Sequence, residues 1–135
     1  MIVADTNVIA YLALPSPYTA MVEQLLLNDP DWQVPPLWRS ELRNVLALYL
    51  RKALLTLDDA VRIQSEMEAF LEDKEYDVNS LAVLTLVNTS NCSAYDCEFI
   101  ALAKSYNVRL VTMDKKLVNA FPQIAVLLTD LSGAK

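Results

Sequence analysis

Four carboxylates stand out by where they fall in the sequence. Asp5 closes the short apolar run Ile2-Val3-Ala4, and Asp114 lies two residues beyond the run Arg109–Thr112. Glu41 comes three residues after Trp38 and four before Val45, inside the apolar stripe Trp38, Leu42, Val45, Leu46, Tyr49 of a helical segment. Asp96 precedes Phe99, Ile100 and Ala103 by three, four and seven residues, again the inward spacing of a helix. An inward carboxylate is costly unless something pairs with it. Two such residues, with two acids at strand ends, point to one shared cation, and oxygen ligands of this kind suit Mg²⁺ or Mn²⁺.

Each acid alone has a plainer explanation. Asp5 and Asp114 are good helix N-caps. Ser93-x-x-Asp96 has the spacing of a capping box, and Glu41 can sit at the edge of its stripe and reach water. Held together, the four plain explanations are less comfortable than any one of them. The acidic run Glu66, Glu68, Glu72, Asp73, Glu75 reads as a solvated face.

What the sequence lacks narrows the chemistry. There is no histidine, which removes Ser-His-Asp and Cys-His schemes, imidazole acid–base catalysis and nearly all catalytic zinc sites. The single glycine, Gly133, leaves no Gly-rich cradle for phosphates. Cys92 and Cys97, five apart, fit neither a disulfide framework nor a CxxC metal pattern and read as reduced thiols.

The elements that must position the acids alternate between strand and helix. Strands are expected at Ile2–Ala4, Trp32–Val34 (stopped by Pro35-Pro36), Tyr76–Val78, Arg109–Thr112 and Ala125–Leu128. Helices are expected at Tyr18–Leu27, Leu37–Lys52, Leu57–Asp73, Ser80–Val87, Tyr95–Tyr106 and Lys115–Phe121. Thr56-x-x-Asp59 opens the third of these as a capping box, and Asn107 is placed for a left-handed C-cap. Such alternation predicts an α/β fold with a mainly parallel sheet of about five short strands, covered on both faces. Ligands of these sheets bind beyond the carboxyl ends of the strands, at the switch point, where Asp5 and Asp114 fall.

A chain of 135 residues, 54% hydrophobic and 21% charged, is expected to fold as one domain over residues 1–135 with a dense core. A surplus of apolar side chains also suits a self-associating surface. The N-terminus has no basic run ahead of its apolar residues, and no apolar stretch approaches the ~20 residues needed to span a bilayer. A cytoplasmic location without a membrane partner is the expectation.

Four blocks in series carry a resemblance: Ile2-Val3-Ala4-Asp5-Thr6-Asn7-Val8, Pro36–Leu46 around Glu41, Tyr95–Ala103 around Asp96, and Leu110–Leu117 around Asp114. In order and spacing the chain resembles PIN-domain proteins, and within them the VapC-type toxins of bacterial and archaeal toxin–antitoxin pairs. The resemblance implies a three-layer α/β/α fold and cleavage of RNA that depends on Mg²⁺ or Mn²⁺. It also implies homodimers and a VapB-like antitoxin partner. Asp5, Glu41, Asp96 and Asp114 would be the acidic quartet, both catalytic and metal-binding. Asn7 and Thr112 would be supporting residues that orient carboxylates or water.

The net charge of −6 runs against the basic surface that nucleic-acid binding usually needs. Arg39, Arg43, Lys104, Lys115 and Lys116 flank the acidic motifs and are the candidate RNA contacts. Two other readings stay open. A phosphatase of the haloacid dehalogenase type also opens with a strand and D-x-D, but Asn7 stands where its second Asp would be. A non-catalytic binding module would have no need of all four acids.

Overall fold

The computed structural model describes residues 1–133. Strand β1, Ile2–Ala4, is buried along its whole length, as a short apolar run covered on both faces should be. It passes directly into helix α1, Thr6–Ala13, whose N-cap is Asp5. Helix α2, Thr19–Asn28, leads to strand β2, Trp32–Gln33, and the chain then enters helix α3, Trp38–Arg51. Helix α4, Leu57–Phe70, opens with the expected Thr56–Asp59 capping box, both halves of which are formed. A 3₁₀ turn, Glu72–Lys74, follows, then helices α5, Ser80–Asn88, and α6, Ala94–Tyr106. Strand β3, Leu110–Thr112, helix α7, Lys115–Ala120, strand β4, Ala125–Leu127, and helix α8, Leu128–Gly133, complete the described residues.

The four strands form one parallel sheet in the order β2-β1-β3-β4. From β1 the chain moves first to one side, to β2, and then returns to the other, to β3. The order therefore reverses between β1 and β3, which places the switch point at their carboxyl ends. Val3 pairs with Leu110 and Ala4 with Val111, and the Asp5 N–H continues the ladder to the Val111 carbonyl at 3.0 Å. Asp5 thereby leaves the sheet in fixed register with β3.

The core is one cluster built on Trp32, Trp38, Ile9, Leu42, Phe99, Ile100, Leu110 and Leu117. Helix α6 packs against β1 and β3, α3 against α1 and α4, and α5 against α6. Asn107 takes the left-handed conformation expected of it, with φ of 54°. Cys92 and Cys97 are buried and unpaired with one another.

Three expectations are corrected. The sheet has four strands rather than about five, because Tyr76–Val78 does not form a strand. That segment meets the sheet edge at one place, a bridge between Val34 and Glu75, with Val34 N–H bonded to the Lys74 carbonyl and Tyr76 N–H to the Val34 carbonyl. Pro35 and Pro36 lack the N–H groups that would extend the ladder, and Asn79 caps the next helix three residues on. Helices α1 and α8, to which the sequence reading assigns no element, both form. The helix expected at Leu57–Asp73 ends earlier, at Phe70, with its final turn tightened to 3₁₀.

Candidate active site

Asp5 is buried at the end of β1, where it caps α1 by accepting from the Thr6 N–H at 2.8 Å. The Thr112 hydroxyl donates to its other oxygen at 2.7 Å, and the Asn7 amide lies 3.5 Å from that same oxygen. Burial pushes the Asp5 carboxyl up to about 6, with the negative charges of Asp96 and Asp114 adding to the rise. The hydrogen bonds from Thr112 and Thr6 oppose the shift without cancelling it.

Thr112 is fully buried and joins the two strand ends. Its hydroxyl donates to Asp5 and accepts from the Asp114 N–H at 3.0 Å and from the Asn7 amide at 3.4 Å. Asn7 completes the clasp by accepting from the Met113 N–H at 3.2 Å. Asp114 caps α7, accepting from the Lys116 N–H at 2.9 Å. The N-cap explanations of Asp5 and Asp114 are therefore correct, and each carboxylate still faces the same cavity.

Glu41 stands in the first turn of α3, half-buried, and its Oε1 accepts from the Thr6 hydroxyl at 2.7 Å. Burial raises its affinity for a proton, the Thr6 bond lowers it, and the charges of Asp5, Asp96 and Glu98 raise it again. Asp96 sits in the first turn of α6, where its N–H is capped by the Ser93 hydroxyl at 3.0 Å. Its carboxyl is raised by burial and by Asp114, and lowered by the Ser93 hydroxyl and Lys116. Among the described residues no bond returns from the Asp96 carboxylate to the Ser93 N–H. The cap is half a box, and the carboxylate is left for the cavity.

All four acids line one cavity of about 340 Å³, together with Thr6, Asn7, Asn44 and Val45. Thr6 and Asn44 escaped the sequence reading. Thr6 sits between Asp5 and Asn7 in the opening motif, where only a contact with a residue 35 positions away reveals its role. Asn44 lies three residues after Glu41, one turn on, and that spacing was its available signal.

The donor set is all oxygen and carries an excess of negative charge, the chemistry a hard divalent cation matches. As they lie, no three acids among the described residues form a ready-made ligand cluster. Mg²⁺ does not require one, since it keeps several waters and is usually held through one or two carboxylates. The residues therefore fit a hydrated Mg²⁺ or Mn²⁺.

The candidate RNA contacts divide. Lys115 and Lys116 start α7 beside Asp114, and Lys116 is near enough to stabilise the Asp96 anion. Arg39 points elsewhere: its guanidinium pairs with Glu75 at 2.6 and 2.9 Å and with Glu68 at 3.0 Å. Arg43 reaches toward Glu68 at 3.7 Å and lines a groove between α3 and α4, while Lys104 lines another between α5 and α6. The acidic run is only partly a solvated face. Glu66, Glu72 and Asp73 are exposed, but Glu68 and Glu75 tie α4 and the turn after it to α3, and Glu75 also accepts from the buried Trp38 indole at 2.7 Å.

The parallel sheet, its switch point and the acids gathered there define a PIN-like α/β protein. The chain belongs to the PIN domain family, whose model matches residues 2–124. It is 27% identical over 128 residues to Ribonuclease VapC3 of Pyrobaculum aerophilum, covering 91% of this chain and 96% of that protein. Its fold is similar to that of FitAcB from Neisseria gonorrhoeae, with a TM-score of 0.75, 20% identity, and 96% and 99% of the two chains covered. PAE2754 from Pyrobaculum aerophilum has the same fold, with a TM-score of 0.71, 20% identity, and 98% of this chain and 94% of that one covered. Among the described residues no helix is long and apolar enough to cross a membrane.

Proposed function

We propose that the chain is a metal-dependent endoribonuclease that hydrolyses RNA phosphodiester bonds at Asp5, Glu41, Asp96 and Asp114, and that it is the toxin of a VapBC-type pair. The observation that carries the chemistry is the opening of all four acids, from β1, α3, α6 and the end of β3, onto one cavity. The resemblance of the motifs to VapC-type toxins and the similarity to Ribonuclease VapC3 support RNA as the substrate class. A VapB-like antitoxin, a homodimer, a cytoplasmic location and a single domain over residues 1–135 belong to the same reading.

Asp5, Glu41, Asp96 and Asp114 would hold Mg²⁺ or Mn²⁺. Such an ion lowers the pKa of a bound water and offsets charge developing on a phosphate. The chain's own part is to orient and to manage protons. Thr112 and the Thr6 N–H fix the Asp5 carboxyl in one direction, so its oxygens need no rearrangement as charge develops. Thr6 occupies Glu41 Oε1 and leaves Oε2 for the cavity. That second Glu41 oxygen is placed to accept the proton lost by an attacking water. Asn7 cannot supply the acid of a phosphatase, because its amide is committed to Asp5, Thr112 and the Met113 N–H.

The test is cleavage of a mixed RNA pool, including tRNA and rRNA fragments, with Mg²⁺, Mn²⁺ or EDTA. Cutting that requires metal and falls roughly a thousandfold in Asp5→Asn and Asp96→Asn, the loss of several kcal/mol of transition-state stabilisation, is expected. No cutting of any RNA, with no metal binding by calorimetry, would leave a scaffold rather than an enzyme.

A further inference from the structure

Beside the carboxylate cavity lies a second one, of about 210 Å³, lined by Ala10, Tyr11, Leu14, Ser16 and Tyr49 together with Asn7 and Val45. Asn7 and Val45 also line the carboxylate cavity, so the two cavities adjoin. The arrangement follows from helix spacing. On α1, Tyr11 comes one turn after Asn7; on α3, Tyr49 comes one turn after Val45, which comes one turn after Glu41. The helices that carry Thr6 and Glu41 to the acids therefore carry two aromatic rings further along, Tyr11 about 7.5 Å beyond Thr6 and Tyr49 about 12 Å beyond Glu41.

The chemistry of this second cavity is narrow. Its walls are chiefly apolar and aromatic, and its volume is below the roughly 300–1,000 Å³ of pockets for drug-sized ligands, so it suits one planar ring system. Tyr11 is braced from behind by Tyr18, with ring centroids 5.1 Å apart and planes tilted by 46°. Burial and the neighbouring Tyr18 and Tyr49 phenols hold the Tyr11 hydroxyl in its neutral form. Among the described residues neither the Tyr11 nor the Tyr49 hydroxyl hydrogen-bonds within the chain, so both are free to meet the polar edge of a ring. Unstacked RNA bases are recognised in this way, by stacking on aromatic side chains and by hydrogen bonds to their edges.

We propose that this cavity receives the base of the nucleotide flanking the scissile phosphate, stacked against Tyr11 and Tyr49, and that these two tyrosines set which bases the enzyme cuts beside. The inference rests on the ribonuclease reading and adds to it a base-recognition subsite. Continuity with the carboxylate cavity favours this occupant. Because Asn7 and Val45 border both cavities, a nucleotide whose phosphate is held at the acids has its ribose and base beside the aromatic cavity.

The experiment uses short RNA oligonucleotides built around a cleavage site mapped from the RNA pool. The flanking nucleotide carries each of the four bases or none, and the full chain is compared with Tyr49→Ala and Tyr49→Phe. The unaltered chain should cut its preferred base about tenfold better, in kcat/KM, than the abasic substrate. Tyr49→Ala should lose about tenfold on the preferred base and little on the abasic one, while Tyr49→Phe keeps the preference. Equal cutting of base and abasic substrates by the unaltered chain would overturn the proposal and leave the ribonuclease reading standing, with no dependence on whether a variant folds. Full base preference in a folded Tyr49→Ala would overturn it equally. Failure of the unaltered chain to cut any RNA with Mg²⁺ or Mn²⁺ would remove both.

Discussion

Asp5 accepts from two threonine-derived donors and still binds its proton more tightly than an ordinary aspartate, because burial outweighs the hydrogen bonds. The folded chain holds that proton up to about pH 6, whereas the unfolded chain releases it near 3.8. The group therefore contributes nothing below about pH 3, where both states are protonated. It weakens the fold progressively as pH rises through that interval, and above about pH 7 the cost reaches roughly 3 kcal/mol. Asp5→Asn should raise the melting temperature of the EDTA-treated chain by about 5–10 °C at pH 8. At pH 3 it should leave the melting temperature almost unchanged. Thermal melts at the two pH values check this, and a variant less stable than the parent at pH 8 would contradict it. A second expectation concerns Thr112, which among the described residues is the only one bonded to both strand-end acids, through the Asp5 carboxylate and the Asp114 N–H. Thr112→Val keeps the shape and removes the hydroxyl, and should lower RNA cleavage about 10–100-fold. Thr112→Ser should restore most of the activity, as steady-state cleavage rates would show.

At the scale of elements, the strand-to-helix joints were the legible part. Ile2–Ala4 and Leu110–Thr112 are apolar, short and followed at once by Asp or by Met-Asp, so both strands and their caps could be read directly. Thr56–Asp59 and Asn107 were equally plain, since capping chemistry is local. Helix α1 was not legible. Val8, Ile9, Tyr11 and Leu12 are β-branched, aromatic or aliphatic on most sides, and a helix buried almost all round shows little period. The missing fifth strand has the opposite cause, since Tyr76–Val78 has strand-like residues but only one bridge to join. Ala53 exposes a further element-scale feature. It ends α3 in the left-handed region with φ of 57°, a conformation that costs a residue with a Cβ about 1 kcal/mol and costs glycine almost nothing. Ala53→Gly should therefore stabilise the chain by about 0.5–1 kcal/mol, less the extra freedom glycine has when unfolded. Urea titration reads this as a higher midpoint at unchanged slope, and a lower midpoint would refute it.

Over the whole molecule, the distribution of charge decides how RNA would be held on the ribonuclease reading. Sequence proximity suggested that Arg39 and Arg43 face the site, because each is two residues from Glu41. Positions two apart on a helix point to different faces, however, and both arginines turn to Glu68 on α4 while Glu41 turns to Thr6. That the four acids line one cavity was legible from two inward helix positions and two strand ends, but which basic side chains lie beside them was not, because that depends on which helix packs against α3. With a net charge of −6, Lys115 and Lys116 are the basic side chains of the candidate set that adjoin the acids. Single-stranded RNA releases counterions in proportion to the phosphates neutralised, with a slope in log affinity against log salt of about −0.7 per contact. Two lysines thus predict a slope of roughly −1 to −2 for the free chain. Lys116→Ala should make it shallower by about 0.7 while weakening binding to all sequences alike. Fluorescence anisotropy of a labelled oligonucleotide on the Asp96→Asn variant, across a salt series, measures both. A slope steeper than about −4 would show that RNA crosses a basic surface beyond α7, and would return Arg43 and Lys104 to the interface.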